Sequence, residues 1–327
     1  MHKILIATDS YDQVNGVSTT YRNILRHSAQ KPFVVHPGLF KWRTFAIYPE
    51  VQICKEPLKA YKKIREISPT HIHIGTEGPI GLAARIYCKL HRIPYTTGYH
   101  TKFPEYLWKL MRIPKFITYG YLKIFHNDSK AILVPSQSCK EELNRKGFNN
   151  VEVWTRGVSK TLISSKPFKK SKSPKVIYVG RVSKEKNLEA LCCLEDKFEI
   201  TIVGEGPILN KLKEKYPKIN FTGYKFGREL ANIYKEHDVF CFPSKTDTFG
   251  IVMIEALANG LPIAAYKVTG PVDIVDEGKT GFLGDDLEDS IRRCLKLNRK
   301  KIMSNINQRW SWKRCIEILH DHLLKGV

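Results

Sequence analysis

SKTDTFGIVMIEALANG, residues 244–260, joins a polar turn to an apolar run that one charge, Glu255, interrupts. The residues just before it, DVFCFP (238–243), read as a short buried strand ended by proline. The local plan is therefore strand, loop, helix, with Phe249, Gly250 and Ile251 at the helix entrance and Gly260 and Pro262 closing it. A helix entrance offers unpaired N–H groups at the positive end of the macrodipole, which suits a phosphate. Asp247 and Glu255 stand eight residues apart, so the first sits on the loop and the second about two turns into the helix. A carboxylate inside IVMIEALA is costly without a partner. Two readings stay open on these residues alone. One is a buried glutamate paired with Lys or Arg; the other is two carboxylates holding the hydroxyls of a sugar nucleotide on either side of its diphosphate.

The same plan recurs along the chain. Residues 175–179 read as a strand, and GRVSKEKN (180–187) carries Arg181 and Lys186 beyond its C-terminal end. Cations there would neutralise charge on a departing diphosphate, although a solvated surface pair is the alternative. Residues 199–203 lead into GEGP (204–207), where Gly204 and Gly206 would let a base or ribose lie on the backbone. A further short strand ends at Tyr224, and the helix 229–236 leads into the opening stretch. In the first half, strands are expected at 3–8, 33–35, 51–53, 71–74, 94–97, 131–134 and 151–154, with helices between them. The helix that follows the first strand begins at Gly16, where a ligand could approach the backbone closely. This order predicts doubly wound α/β architecture, with ligands at the C-terminal ends of the strands. The loop after the first strand is not GxGxxG, so a dinucleotide cofactor is not indicated. His71 and His73 alternate on one strand with no further ligands at useful spacing and read as structural. His100 sits just past a strand end, where a lone histidine is structural or catalytic.

The 327 residues suffice for two domains, and 42% hydrophobic residues mark a globular chain. No apolar run is long enough to cross a membrane, and the N-terminus lacks the pattern of a secretory signal. Eight cysteines without metal-binding spacing point to reduced thiols in a cytosolic protein. The net charge is +22. Residues 1–165 hold 25 Lys and Arg against 11 Asp and Glu, a net of +14, so the first half is the more basic. Nucleic acid, an anionic membrane, phosphorylated substrates or a plain compositional bias would each account for it. The segment 102–126 interleaves Lys102, Lys109, Arg112 and Lys115 with Trp108 and other aromatics. It reads either as an ordinary helix pair broken at Pro114 or as an interfacial element on an anionic membrane. Stacking on single-stranded nucleic acid is the least favoured reading.

PSKTDTFGIVMIEALANGLPIA (243–264), GRVSKEKN, GEGP, and HIGTEGPIGLAARIY (73–87) with PYTTGYHTKFPEY (94–106) together resemble glycosyltransferase family 4. That resemblance spans nearly the whole chain and implies the GT-B fold, two Rossmann-like domains facing each other across a cleft. It implies an N-terminal domain over 1–163, a linker over 164–175 read as exposed, and a nucleotide-sugar domain over 176–311. A C-terminal helix, 312–327, would pack back on the first domain. It also implies a retaining hexosyltransferase that needs neither a metal nor another cofactor, with Asp285-Asp286 not a metal-binding pair. Arg181 and Lys186 would hold the diphosphate with the N–H groups near Phe249, Gly250 and Ile251. Glu255 would bind the ribose, Asp247 the sugar hydroxyls, and His100 the transferred sugar. Gly16 would approach the diphosphate, and the Tyr224 loop would line the base pocket. The donor would be GDP-mannose or a UDP-hexose. The acceptor would be a lipid such as diacylglycerol, met at the inner face of the cytoplasmic membrane by Lys102, Trp108, Lys109, Arg112 and Lys115. No nucleic acid partner is expected. A mannosyltransferase acting on an oligosaccharide, or a non-enzymatic basic binding protein on the same scaffold, are the alternatives. The chain departs from the family pattern at Asp247, where many members carry Glu, and at Arg156-Gly157, where many carry Asn-Gly.

Overall fold

A computed structural model describes residues 2–45, 48–168, 173–304 and 309–324. The chain divides into two compact units, one ending at Arg156 and rejoined by the chain from Trp312, the other Gly157–Ser311. The first unit runs β1 (Ile4–Ala7), α1 (Gly16–His27), β2 (Phe33–Val35), β3 (Trp42–Phe45), β4 (Tyr48–Cys54), α2 (Pro57–Ile67) and β5 (His71–Ile74). It continues through α3 (Pro79–His91), β6 (Tyr95–Gly98), α4 (Phe103–Met111), α5 (Lys115–His126), β7 (Ile132–Val134), α6 (Gln137–Arg145) and β8 (Val151–Val153). Its sheet has the order β2-β1-β5-β6-β7-β8, every neighbour parallel. A parallel sheet is covered on both faces, which is why β1 and β7 are continuous apolar runs and why even the histidines of β5 and the threonines of β6 are buried. Strands β1, β5, β6 and β7 are buried along their whole length. The antiparallel hairpin β3–β4 lies outside the sheet and extends the strand expected at 51–53. Its first strand is WRTF, which lacks the apolar signal of a core strand.

The second unit runs β9 (Lys175–Val179), α7 (Glu189–Cys192), β10 (Glu199–Val203), α8 (Leu209–Lys215), β11 (Asn220–Gly223), α9 (Gly227–Glu236) and β12 (Val239–Phe242). Then come α10 (Ile251–Ala258), β13 (Ile263–Ala265), α11 (Pro271–Ile274), β14 (Gly281–Leu283), α12 (Leu287–Cys294) and α13 (Arg299–Ser304). The sheet order is β11-β10-β9-β12-β13-β14, again all parallel. The order reverses between β9 and β12, so the loops that leave these two strands part to opposite sides and open a crevice between them. In the first unit the reversal falls between β1 and β5.

The last helix, α14 (Trp312–Leu324), belongs to the first unit, where it packs on α1 and β5. Trp312, Cys315, Ile316, Leu319 and Leu323 are its buried residues, the stripe of an amphipathic helix. The Cys315 carbonyl accepts the indole N–H of Trp154 at 2.8 Å, so this buried tryptophan has its polar atom satisfied.

The unit boundary at Arg156 lies upstream of the expected end at 163. Part of the expected linker is not exposed: Ser164 is buried. The reason is Asn259, fully buried just past α10. Its Oδ1 accepts the Ser164 N–H at 2.9 Å, and its Nδ2 donates to the carbonyls of Leu162 (2.6 Å) and Glu255 (2.9 Å). Residues 169–172 of the linker lie outside the described residues. Asn259→Ala strands a buried N–H and two carbonyls, so a loss of about 2–4 kcal/mol is expected, read as a lower urea midpoint. An unchanged midpoint would show that the segment is not tied down this way.

Candidate active site

The loops leaving β9 and β12 carry most of the charged residues singled out in the second unit. After β9 the chain turns through Gly180 and Arg181 into a single 3-10 turn, Lys184–Lys186. Asn187, left-handed at φ 55°, donates its side-chain amide to the Pro243 carbonyl at 3.1 Å and so ties this turn to the end of β12. Lys186 Nζ reaches Asp247 Oδ1 at 2.5 Å, and both side chains are largely buried. The other oxygen, Asp247 Oδ2, is buried and accepts no hydrogen bond, and neighbouring Thr246 Oγ1 is in the same state. Arg181 stands 3.9 Å from Glu185, and its carbonyl accepts the Tyr178 hydroxyl at 3.0 Å.

Gly250 precedes α10 at φ 94°, and a Cβ there would meet Met253 Cε at 2.7 Å and Phe242 Cζ at 3.0 Å. Glycine is thus required by the fold at this helix entrance. Phe249 is buried edge-on against Trp310, and Ile251 is half-buried. Glu255 lies within α10, 6% exposed, and accepts the Tyr234 hydroxyl on Oε2 at 3.3 Å. No Lys or Arg pairs with it among the described residues. Burial raises its carboxyl to about 7, against the smaller opposing effect of Tyr234. An ionisable group so placed without a counter-charge points to a functional site.

Gly204 and Gly206 are explained differently from the sequence reading. A Cβ on Gly204 would sit 2.0 Å from the Gly180 carbonyl oxygen, and one on Gly206 would sit 2.3 Å from that of Val182. These glycines let neighbouring loops pack backbone to backbone, which is reason enough for them without a ligand. Gly16 is the reverse case, since a Cβ there meets nothing within 4 Å. Tyr224 and Phe226 are exposed and stacked, ring centroids 5.9 Å apart.

In the first unit His100 is half-buried beyond β6. Its Nε2 lies 2.7 Å from the Tyr21 hydroxyl, and its Nδ1 accepts from Arg156 at 3.1 Å. Burial and the adjacent guanidinium hold its pKa well below the usual imidazole value, so the ring is neutral. Tyr21 also lies 3.0 Å from His73 Nε2, and burial lowers His73 to about 3. Trp154 packs against Tyr21, His73 and His100. Tyr21, Tyr234 and Thr246 carried no signal in the sequence, because a tyrosine on an amphipathic helix or a threonine in a polar loop looks like an ordinary one. Arg156 did carry one, as a departure from the family pattern.

Lys102 leaves the set of membrane-facing candidates. It is buried and paired with Glu142 at 2.7 Å. Trp108 is exposed with Arg112 over its ring at 5.7 Å, and Lys115 is exposed, 3.7 Å from Glu105. The Lys109 side chain lies outside the described residues.

Comparison with known proteins adds the following. A family model described as glycosyl transferases group 1 matches residues 159–309, and one described as Glycosyltransferase Family 4 matches residues 26–161. A GDP-mannose-dependent alpha-mannosyltransferase of Corynebacterium glutamicum is 29% identical over 317 residues, 87% of this chain and 77% of the relative. An alpha-monoglucosyldiacylglycerol synthase of Streptococcus pneumoniae is 25% identical over 316 residues, 81% and 71% of the two chains. Among solved structures, Anabaena HepE in complex with UDP and glucose superposes with a TM-score of 0.73 at 17% identity, covering 99% of this chain and 100% of that one. That last likeness is one of fold.

The raised Glu255 carboxyl has a signed consequence. Between about 4.5 and 7 the folded chain holds a proton there that the unfolded chain has lost, so stability falls as pH rises through this window. Glu255→Gln is therefore expected to be more stable than wild type at pH 8, by on the order of 1–3 kcal/mol. The gain should vanish below pH 4.5. Thermal melts of both proteins across this range check it, and a pH-independent difference would contradict it.

Proposed function

The chain belongs to glycosyltransferase family 4, with its GT-B fold, and moves a sugar from a nucleotide sugar; on that premise we propose that it is a retaining transferase of a hexose carried on GDP or UDP, with a membrane lipid as acceptor. The observation that carries the donor site is the pair of carboxylates beyond β12. Asp247 has one oxygen on Lys186 and the other buried without a partner, and Glu255 is buried with only Tyr234. Sugar hydroxyls donating to Asp247 Oδ2 and ribose hydroxyls donating to Glu255 would satisfy both. Arg181 and Lys186 would take the diphosphate and stabilise it as it leaves, which removes the need for a metal. Transfer would proceed without a protein nucleophile, the acceptor attacking on the face that the leaving group departs.

The acceptor side rests on the surface of the first unit. Leu82, Ile86 and Leu90, spaced four apart on α3, are exposed, the last at 68%. On α5, Ile117 and Ile124 are exposed, the latter at 70%. Arg85 on α3 donates to the carbonyls of Ile124 and Phe125, so the two helices are neighbours. Apolar exposure of this kind with Arg112 and Lys115 nearby in sequence suits the interface of an anionic bilayer. No helix among the described residues is long and apolar enough to cross a membrane. The mannosyltransferase name of the C. glutamicum relative favours GDP-mannose, and the S. pneumoniae name favours a diacylglycerol acceptor.

Incubation with a panel of UDP- and GDP-hexoses and diacylglycerol-containing vesicles tests this, with turnover expected for one donor and unaffected by EDTA. No turnover and no binding with any donor sinks it. Lys186→Ala is expected to lower kcat by about a hundredfold or more. Gly16→Ala should leave stability nearly unchanged, because the added Cβ meets no protein atom within 4 Å, while donor affinity falls. For the membrane, Leu90→Glu with Ile124→Glu should abolish flotation with phosphatidylglycerol vesicles, and wild-type flotation should weaken with salt. Salt-indifferent binding, or flotation by the double variant, removes the interfacial reading.

A further inference from the structure

Arg156 is a buried cation with no carboxylate beside it among the described residues. Its Nη1 donates to the carbonyls of Trp154 (2.6 Å) and Thr155 (2.9 Å), and its guanidinium lies over the Trp154 ring at 4.3 Å. The remaining arm, Nη2, reaches His100 Nδ1 at 3.1 Å. A buried charge without a counter-ion is costly even after hydrogen bonding, so its retention calls for a reason.

The reason lies in what a guanidinium can do to an imidazole. Arginine has five N–H donors and no acceptor. His100 Nδ1 must therefore be the acceptor, which places the proton of the neutral ring on Nε2. That Nε2–H then donates to the Tyr21 oxygen at 2.7 Å. Tyr21, its oxygen engaged, is free to donate its own proton, and His73 Nε2 is nearer at 3.0 Å than the Gly75 carbonyl at 3.4 Å. His73 then carries its proton on Nδ1, facing Thr96 Oγ1 at 2.9 Å. The donor directions run one way, from Arg156 through His100 and Tyr21 to His73 and Thr96. Protonating His100 would turn Nδ1 into a donor facing another donor, so Arg156 also bars the imidazolium.

We propose that Arg156 is a positioning residue: it holds His100 in one orientation as the neutral Nε2–H tautomer, and Tyr21 passes that constraint to His73. The functional consequence rests on the reading that His100 meets the transferred sugar. With Nδ1 and Nε2 both engaged inside the unit, His100 would present a fixed, uncharged ring edge to the sugar and would not serve as a proton donor.

The test reads the tautomer directly. Protein labelled with 15N-histidine gives multiple-bond 1H–15N spectra at pH 7, with His100 identified by the signal lost in His100→Gln. The expected pattern is a protonated Nε2 and a bare Nδ1. An Nδ1–H tautomer or an imidazolium overturns the proposal. Arg156→Met is expected to convert the signal to a tautomer mixture and to lower kcat/KM roughly tenfold. Arg156→Lys should restore most of both. In a His100→Gln background Arg156→Met should cause no further loss, and an undiminished loss there overturns the positioning role. Should Arg156→Met fail to fold, Tyr21→Phe probes the relay: His100 should keep its Nε2–H form, still held by Arg156, while the His73 signal turns to a tautomer mixture, and an unmoved His73 tautomer or a changed His100 one overturns it. The wild-type spectrum needs neither donor nor acceptor. A protein that turns over no sugar nucleotide yet shows the Nε2–H form therefore loses the transferase reading and keeps this one.

Discussion

The parallel pairing of β9 with β12 is the constraint on which the second unit depends. Val239 stands opposite Val176 and Phe240 opposite Ile177, although the strands are separated by β10, β11 and three helices in the chain. That register sets the end of β9 beside the end of β12. From one emerges Arg181 and Lys186, from the other Asp247 and the helix bearing Glu255. A strand order that reverses at this point leaves the loops with nothing to pack between them. Had β12 paired elsewhere, the same residues would be scattered surface charges.

In each unit the protein keeps ionisable groups where folding alone would not. Glu255 is buried with a tyrosine, Asp247 has one oxygen satisfied, and Arg156 has carbonyls and a histidine where a carboxylate would serve better. Each costs stability, and each lies at the C-terminal end of a parallel sheet or on the helix that follows it. The glycines divide along the same line. Those at 204, 206 and 250 answer to neighbouring protein atoms, whereas the one at 16 answers to none.

Much of the fold was legible from local chemistry. Apolar runs bounded by Gly and Pro gave nearly every strand of both sheets, and helix α1 begins at the expected Gly16. The hairpin at Trp42–Cys54 was only half seen, because strands outside the core lack the buried pattern. The charged residues of the second unit were legible for a different reason. Arg181, Lys186, Asp247 and Glu255 stand in loops or in an apolar helix where such residues are conspicuous.

Sequence alone determined which elements form and which loops carry charge, because periodicity, caps and breakers act over a few residues. Tertiary structure decided what each charge meets. Lys102 and Glu142, Lys186 and Asp247, and His100 and Arg156 are separated by 40, 61 and 56 residues, and no local rule distinguishes these pairings from others of the same sign. Burial then decided their protonation, raising Glu255 and lowering His100, since the cost of a charge depends on the dielectric around it and that exists only once the chain has packed.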